Sequence, residues 1–180
     1  MADAAVPAHL SAPPSGMVWA QARELSGSAL DWAAAQSLGY VDVQVTGFDE
    51  PGEAEECFFR PAKLDARGRE VCGSGMRWNP SGNWAQCGDI VQHLVAQGCA
   101  VSSDPQETDP QYKFCVAPPL RARSPHHYYG ATLLEAGLRC LAAVRLGVWI
   151  AVPQALLPIN QKQAVGDKPA ASASREREHG

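Results

Sequence analysis

Thr132-Leu133-Leu134-Glu135-Ala136-Gly137-Leu138-Arg139-Cys140-Leu141-Ala142-Ala143-Val144-Arg145-Leu146-Gly147 is the stretch that decides the fold class. Thr132 and Glu135 have capping-box spacing: the threonine hydroxyl accepts an N–H of the first turn and the glutamate reaches back. Leu134, Leu138 and Leu141, with Ala142 or Val144, recur on one side of a 3.6-residue turn. Gly147 closes the helix. An amphipathic helix of this length needs a surface to pack on, and the flanking segments must supply it.

Towards the C-terminus, Trp149-Ile150-Ala151-Val152 reads as a short strand, and Pro153 opens a final turn through Leu157. Residues 160–180 are polar and rich in Ala, Ser and charge, which predicts a disordered tail. Towards the N-terminus, 118–129 reads as irregular. Residues 112–116 and 99–101 read as two strands, joined by a long, proline-containing hairpin loop over 102–111. A short helix is expected over 89–97, with Gly88 as its N-cap, Asp89 on its positive end and Gly98 at its stop. Residues 61–75 read mostly as loop, with Val71-Cys72 pairing briefly. A short strand at 57–60 and an acidic turn over 47–56 precede it. Val41, Val43 and Val45 alternate with polar residues, the pattern of a half-buried strand.

Residues 26–38 form the first helix. Ser26 is placed to cap it, Leu25 and Leu30 have staple spacing, and Gly39 stops it. Leu30, Ala33, Ala34 and Leu38 make its apolar face, with Trp32 beside them. Residues 1–16, rich in Ala, Pro and Ser, read as a disordered leader. Helices and short strands are thus mixed without regular βαβ alternation. The expectation is an α+β protein: one small domain over 17–159, with a mostly antiparallel sheet packed against about three helices.

Composition narrows the function. The 180-residue chain has a net charge of −4 and no basic stripe, so no nucleic-acid polymer is expected as partner. The longest apolar tract, 133–159, is interrupted by Glu135, Arg139, Arg145 and two prolines, so no membrane span is expected. The six cysteines include no Cys-x-x-Cys pair and no zinc spacing, which points to reduced thiols in a cytoplasmic protein. Walker and Rossmann glycine patterns are absent. His126 and His127 are adjacent and point apart in an extended segment, so neither a metal site nor a cofactor is expected. Cys87 or Cys99 with His93, His126 or His127 would make a Cys–His hydrolase, but no local catalytic signature surrounds them.

Binding chemistry fits better. The segment Arg77-Trp78-Asn79-Pro80-Ser81-Gly82-Asn83-Trp84-Ala85-Gln86-Cys87-Gly88 concentrates indoles, amides and a hydroxyl on a turned backbone. A second segment, His126 to Thr132, has a similar mixture, and both lead into a helix start. Trp78, Asn79, Ser81, Asn83, Trp84 and Gln86 on one side, and His126, Tyr128, Tyr129 and Thr132 on the other, would wall one pocket. Rings there can stack on a planar ligand while amides and hydroxyls read its edge. The competing structural reading is that Trp78 and Trp84 seal a sheet edge while Asn79 and Asn83 hold turns.

Three blocks carry a family resemblance. Glu24-Leu25-Ser26-Gly27-Ser28-Ala29-Leu30-Asp31-Trp32-Ala33 resembles the opening of the NinX-like family of small phage and prophage proteins. Asn79-Pro80-Ser81-Gly82-Asn83-Trp84-Ala85-Gln86-Cys87-Gly88 is similar to its Pro-Ser-x-x-Trp centre, with Cys87-Gly88-Asp89 standing where Gly-Gly-Pro is expected. Tyr129-Gly130-Ala131-Thr132-Leu133-Leu134-Glu135-Ala136-Gly137-Leu138-Arg139 is similar to its helix opening Gly-x-Thr-x-Leu. The resemblance spans roughly 18–157 and implies a phage or prophage origin, without implying an activity. The resulting expectation is a non-enzymatic accessory protein in the host cytoplasm. It would bind a small, nucleotide-like ligand and so sequester a host defence signal. The alternatives are a protein-binding inhibitor or adaptor acting on a host protein, and the Cys–His hydrolase. A homodimer sharing its pocket across a two-fold is compatible with so small a chain.

Overall fold

A computed structural model describes residues 6–7, 10–46, 56–64, 70–71, 76–120, 122 and 126–157. The expected tail, most of the acidic turn and the first residues of the leader lie outside the described residues. In chain order the elements are β1 (Met17–Gln21), α1 (Gly27–Ser37), β2 (Val41–Thr46), β3 (Glu56–Leu64), β4 (Glu70–Val71) and β5 (Met76–Arg77). Then follow α2 (Trp84–Ala96), β6 (Ala100–Ser103), β7 (Phe114–Ala117), β8 (Tyr128–Gly130), α3 (Leu133–Leu146) and β9 (Trp149–Pro153). Strands pair as β1-β9, as β2-β3 with β4 and β5 on β3, and as β6-β7-β8. Every one of these pairings is antiparallel. The fold is α+β, with three α-helices and antiparallel sheets.

The capping box forms. The Glu135 N–H donates to the Thr132 hydroxyl at 3.2 Å, and the Ala131 N–H donates to the Glu135 carboxylate at 2.9 Å. α3 is the hub: α1, α2, β7, β8 and β9 all pack on it. Its leucines alone do not explain this. Ala136, Gly137, Cys140, Ala142 and Ala143 are also buried, so small residues let partners approach on several sides. At Gly137 a Cβ would stand 3.1 Å from Val91 Cγ2, so this glycine sets the close crossing of α2 over α3.

α1 is buried more completely than a single apolar face requires. Ala29 to Ala35 are all buried, Asp31 included, because α3, β9 and the β2-β3 pair all contact the helix. From one flank β1-β9 closes the core with Ile150 and Val152; from another β6-β7-β8 adds Val116 and Tyr128.

Five boundaries differ from expectation, each for a local reason. α2 starts at Trp84, not at residue 89, because the Asn83 side chain accepts the Ala85 N–H at 3.0 Å and is the better cap. Gly88 therefore lies inside the helix. β1 was not anticipated, since Met-Val-Trp-Ala-Gln does not alternate; it forms by pairing with β9 across its whole length. β3 runs through Pro61 to Leu64 where a loop was expected, and its register with β2 shifts between Val41 and Val43, a bulge that tolerates a proline lacking N–H. Pro110–Tyr112 forms a 3-10 turn capped by the Asp109 side chain, so β7 begins at Phe114. Tyr128–Gly130 is a strand too short for its alternation to show in the sequence.

Candidate functional site

The first aromatic segment folds onto itself and onto α1. Trp78 is 7% exposed. Its Nε1 donates to the Asp31 carbonyl at 2.8 Å, and its ring meets the Tyr40 ring edge-on at 5.3 Å. The Ser81 N–H donates to Asp31 Oδ1 at 2.8 Å. Asn79 Oδ1 accepts from the Gly82 N–H at 3.1 Å and from the Ser81 hydroxyl at 3.4 Å, while Gln86 Oε1 accepts the Asn79 N–H at 2.8 Å. The turn is therefore a clasp, with most of its polar groups turned inward. Asn83 and Trp84 stay outside it: Asn83 is exposed at the start of α2, and Trp84 is 54% exposed, its indole lying over Gly88.

Asp31 is the post to which that clasp is tied. It is 3% exposed, and burial raises its carboxyl to about 6, with the Ser81 N–H and hydroxyl pulling it back down and Glu135 adding a smaller upward push. Cys87 is fully buried, and its thiol is pushed up to about 12 by burial and by Asp31. Burial also raises the Cys99 thiol. In both candidate nucleophiles burial thus favours the neutral thiol over the nucleophilic thiolate. Arg139 completes the network: Nε donates to the Leu25 carbonyl at 2.8 Å and Nη1 to the Tyr129 carbonyl at 2.5 Å. Through Asp31–Ser81 and Leu25–Arg139–Tyr129, the three sequence blocks meet in space. Neither Asp31 nor Arg139 is among the candidate site residues that the sequence suggests. The available signal was a lone acid inside the alanine-rich run of α1.

The second segment behaves differently. In the β6-β7-β8 register, Ser102 pairs with Cys115 and Cys115 with Tyr129, while Ala100 pairs with Ala117. These residues share one face, and the intervening Val116 and Tyr128 are buried on the other. An open groove of about 680 Å³ lies on the outer face. Its floor is small: Ala100, Ser102, Cys115 and Ala117. Tyr112 and Tyr129 line it, their ring centroids 5.5 Å apart in an edge-on pair. Lys113, Asp104, Glu107 and His127 supply charge and hydrogen-bonding groups.

The two segments do not wall this groove together. Of the candidate residues only Tyr129 lines it, and none of 78–86 does. Tyr128 faces the core, Thr132 caps α3, and His126 is exposed beside His127. Among the described residues no group of three His, Cys, Asp or Glu side chains could hold a metal ion. No helix there is long and apolar enough to cross a membrane.

The fold and the site thus define a small α+β protein, tied at its centre by an aspartate and an arginine, with a tyrosine-lined groove on one sheet. Residues 21–145 match the family described as Bacteriophage P22, NinX, and the chain belongs to that family of phage proteins. The matched region runs from the end of β1 through nearly all of α3, so it contains all three blocks and the groove. No curated protein matches the chain.

Proposed function

We propose that this phage-encoded protein binds a small, planar, nucleotide-like ligand in the β6-β7-β8 groove without transforming it, and so withdraws a host signal from use. One observation carries this reading: a floor of small side chains lies beside two tyrosine rings, leaving space for a flat ring to lie on the sheet and stack. The burial of Cys87 and Cys99 speaks for binding over Cys–His hydrolysis. Screening the purified chain against a nucleotide panel by thermal shift, and looking for an ultraviolet-absorbing ligand released on heat denaturation, tests it. A ligand-dependent rise in melting temperature is expected. Tyr129→Ala should abolish it, with a modest fall in the unliganded melting temperature from the lost Tyr112 contact, since Tyr129 is 38% exposed. No released ligand and no shift with any nucleotide would overturn the reading.

A second reading, an inhibitor or adaptor acting on a host protein, is favoured by one feature, the exposed Trp84 ring. A stable partner from host lysate that is lost on Trp84→Ala, with Tyr129→Ala neutral, would favour it instead.

A further inference from the structure

We infer that the groove takes a planar heteroaromatic ring carrying a single anionic group, the class of nucleoside monophosphates, and discriminates against polyphosphates. The inference rests on the ligand-binding reading above and adds the charge of the ligand to it. Among the described residues the groove is lined by one fixed cation, Lys113, and two fixed anions, Asp104 and Glu107. Among the described residues the one ion pair is Arg23–Glu24, so no described carboxylate lies within salt-bridge distance of the Lys113 ammonium. That cation can pair with one phosphate group.

The two acids are held in place by their own turns. Asp104 Oδ1 accepts the Gln106 N–H at 2.9 Å, and Glu107 Oε1 accepts the Asp109 N–H at 2.9 Å. Each carboxylate keeps a second oxygen able to accept an amino or ring N–H of a base. Among the described residues a second or third phosphate would find no further lysine or arginine in the groove and would sit beside these carboxylates, where like charges repel. The lining therefore sorts ligands by charge as well as by shape.

Isothermal titration of the full chain with a nucleoside, its 5′-monophosphate and its 5′-triphosphate, in adenine, guanine, cytosine and uracil series, tests this. In the series that binds, the monophosphate is expected to bind about tenfold more tightly than either relative. Lys113→Ala should bring the monophosphate down to the nucleoside's affinity while leaving the nucleoside and the melting temperature unchanged. The inference fails if the triphosphate binds tightest, if nucleoside and monophosphate bind equally, or if Lys113→Ala does not alter the difference. If no member of any series binds, the ligand-binding reading itself fails and takes this inference with it.

Discussion

The segments 78–86 and 126–132 draw on similar residue types, yet the fold treats them in opposite ways. The first is turned inward, with Trp78 donating to a helix carbonyl and Asn79, Ser81 and Gln86 closing a turn. The second is a strand that sends Tyr128 into the core and Tyr129 onto the surface. The difference teaches that aromatic, amide-rich composition marks a place where backbone and ring need partners. It does not say whether those partners are internal or foreign. A loop that meets a buried acid finds them inside; a strand with period 2 must show every second ring to the outside.

The comparison is most exposed to failure at the two tryptophans. Trp78→Ala should cost about 3–5 kcal/mol, from lost packing and the vacated Asp31 carbonyl. Trp84→Ala should stay within about 0.5 kcal/mol of the parent chain. Chemical denaturation of both variants checks this; equal losses would mean that the clasp is not what holds the first segment.

The next effect concerns Asp31. Its folded-state carboxyl sits at about 6 against an ordinary value of 3.8. A raised carboxyl stabilises the fold fully below the unfolded value and loses that contribution as pH rises through the folded one. The expected loss between about pH 4 and pH 7 is at most about 3 kcal/mol. Asp31→Asn keeps an oxygen for the Ser81 N–H and removes the titration. Its stability relative to the parent should therefore improve by up to that amount as pH rises. Denaturation midpoints for both proteins across this range measure it, and a constant difference would show that Asp31 is not the titrating group.

The smallest effect separates two glycines, Gly130 within the second segment and Gly88 just after the first. At Gly130 a Cβ would fall 2.7 Å from the Ala136 backbone nitrogen, which cannot move aside, so Gly130→Ala should cost about 1–3 kcal/mol. At Gly88 the obstacle is the exposed Trp84 indole, also 2.7 Å away, which can rotate outward. The gain in helix propensity, roughly 1 kcal/mol, should then leave Gly88→Ala near neutral or stabilising. Thermal melts of the two variants suffice.

Much of this is legible in the chain itself. Thr132 and Glu135 announced α3, and the glycines at 39, 98 and 147, all with positive φ, marked the ends of helices. The start of α2 is masked in the sequence because Gly88 reads as a break, whereas Asn83, with a side-chain acceptor, is the stronger signal. β1 is not legible, because a strand that exists by pairing with β9, far along the chain, leaves no local pattern. At the candidate site, Tyr129 was legible as an aromatic beside a helix start. The small floor was not, since Ala100, Ser102, Cys115 and Ala117 become one surface only once three strands are in register.

The sequence by itself determined the α+β class, the three helices and membership of the phage family, because caps, periodicities and motif blocks are short-range and additive. Tertiary structure decided which aromatic turned outward, and that one aspartate in an alanine run would be buried and hold a loop 50 residues away. It also decided that Arg139 would reach a carbonyl 114 residues earlier in the chain. The physical reason is that burial and hydrogen-bond partnership belong to neighbours in space, and those neighbours are set only when α1, α2 and the β6-β7-β8 sheet close on α3.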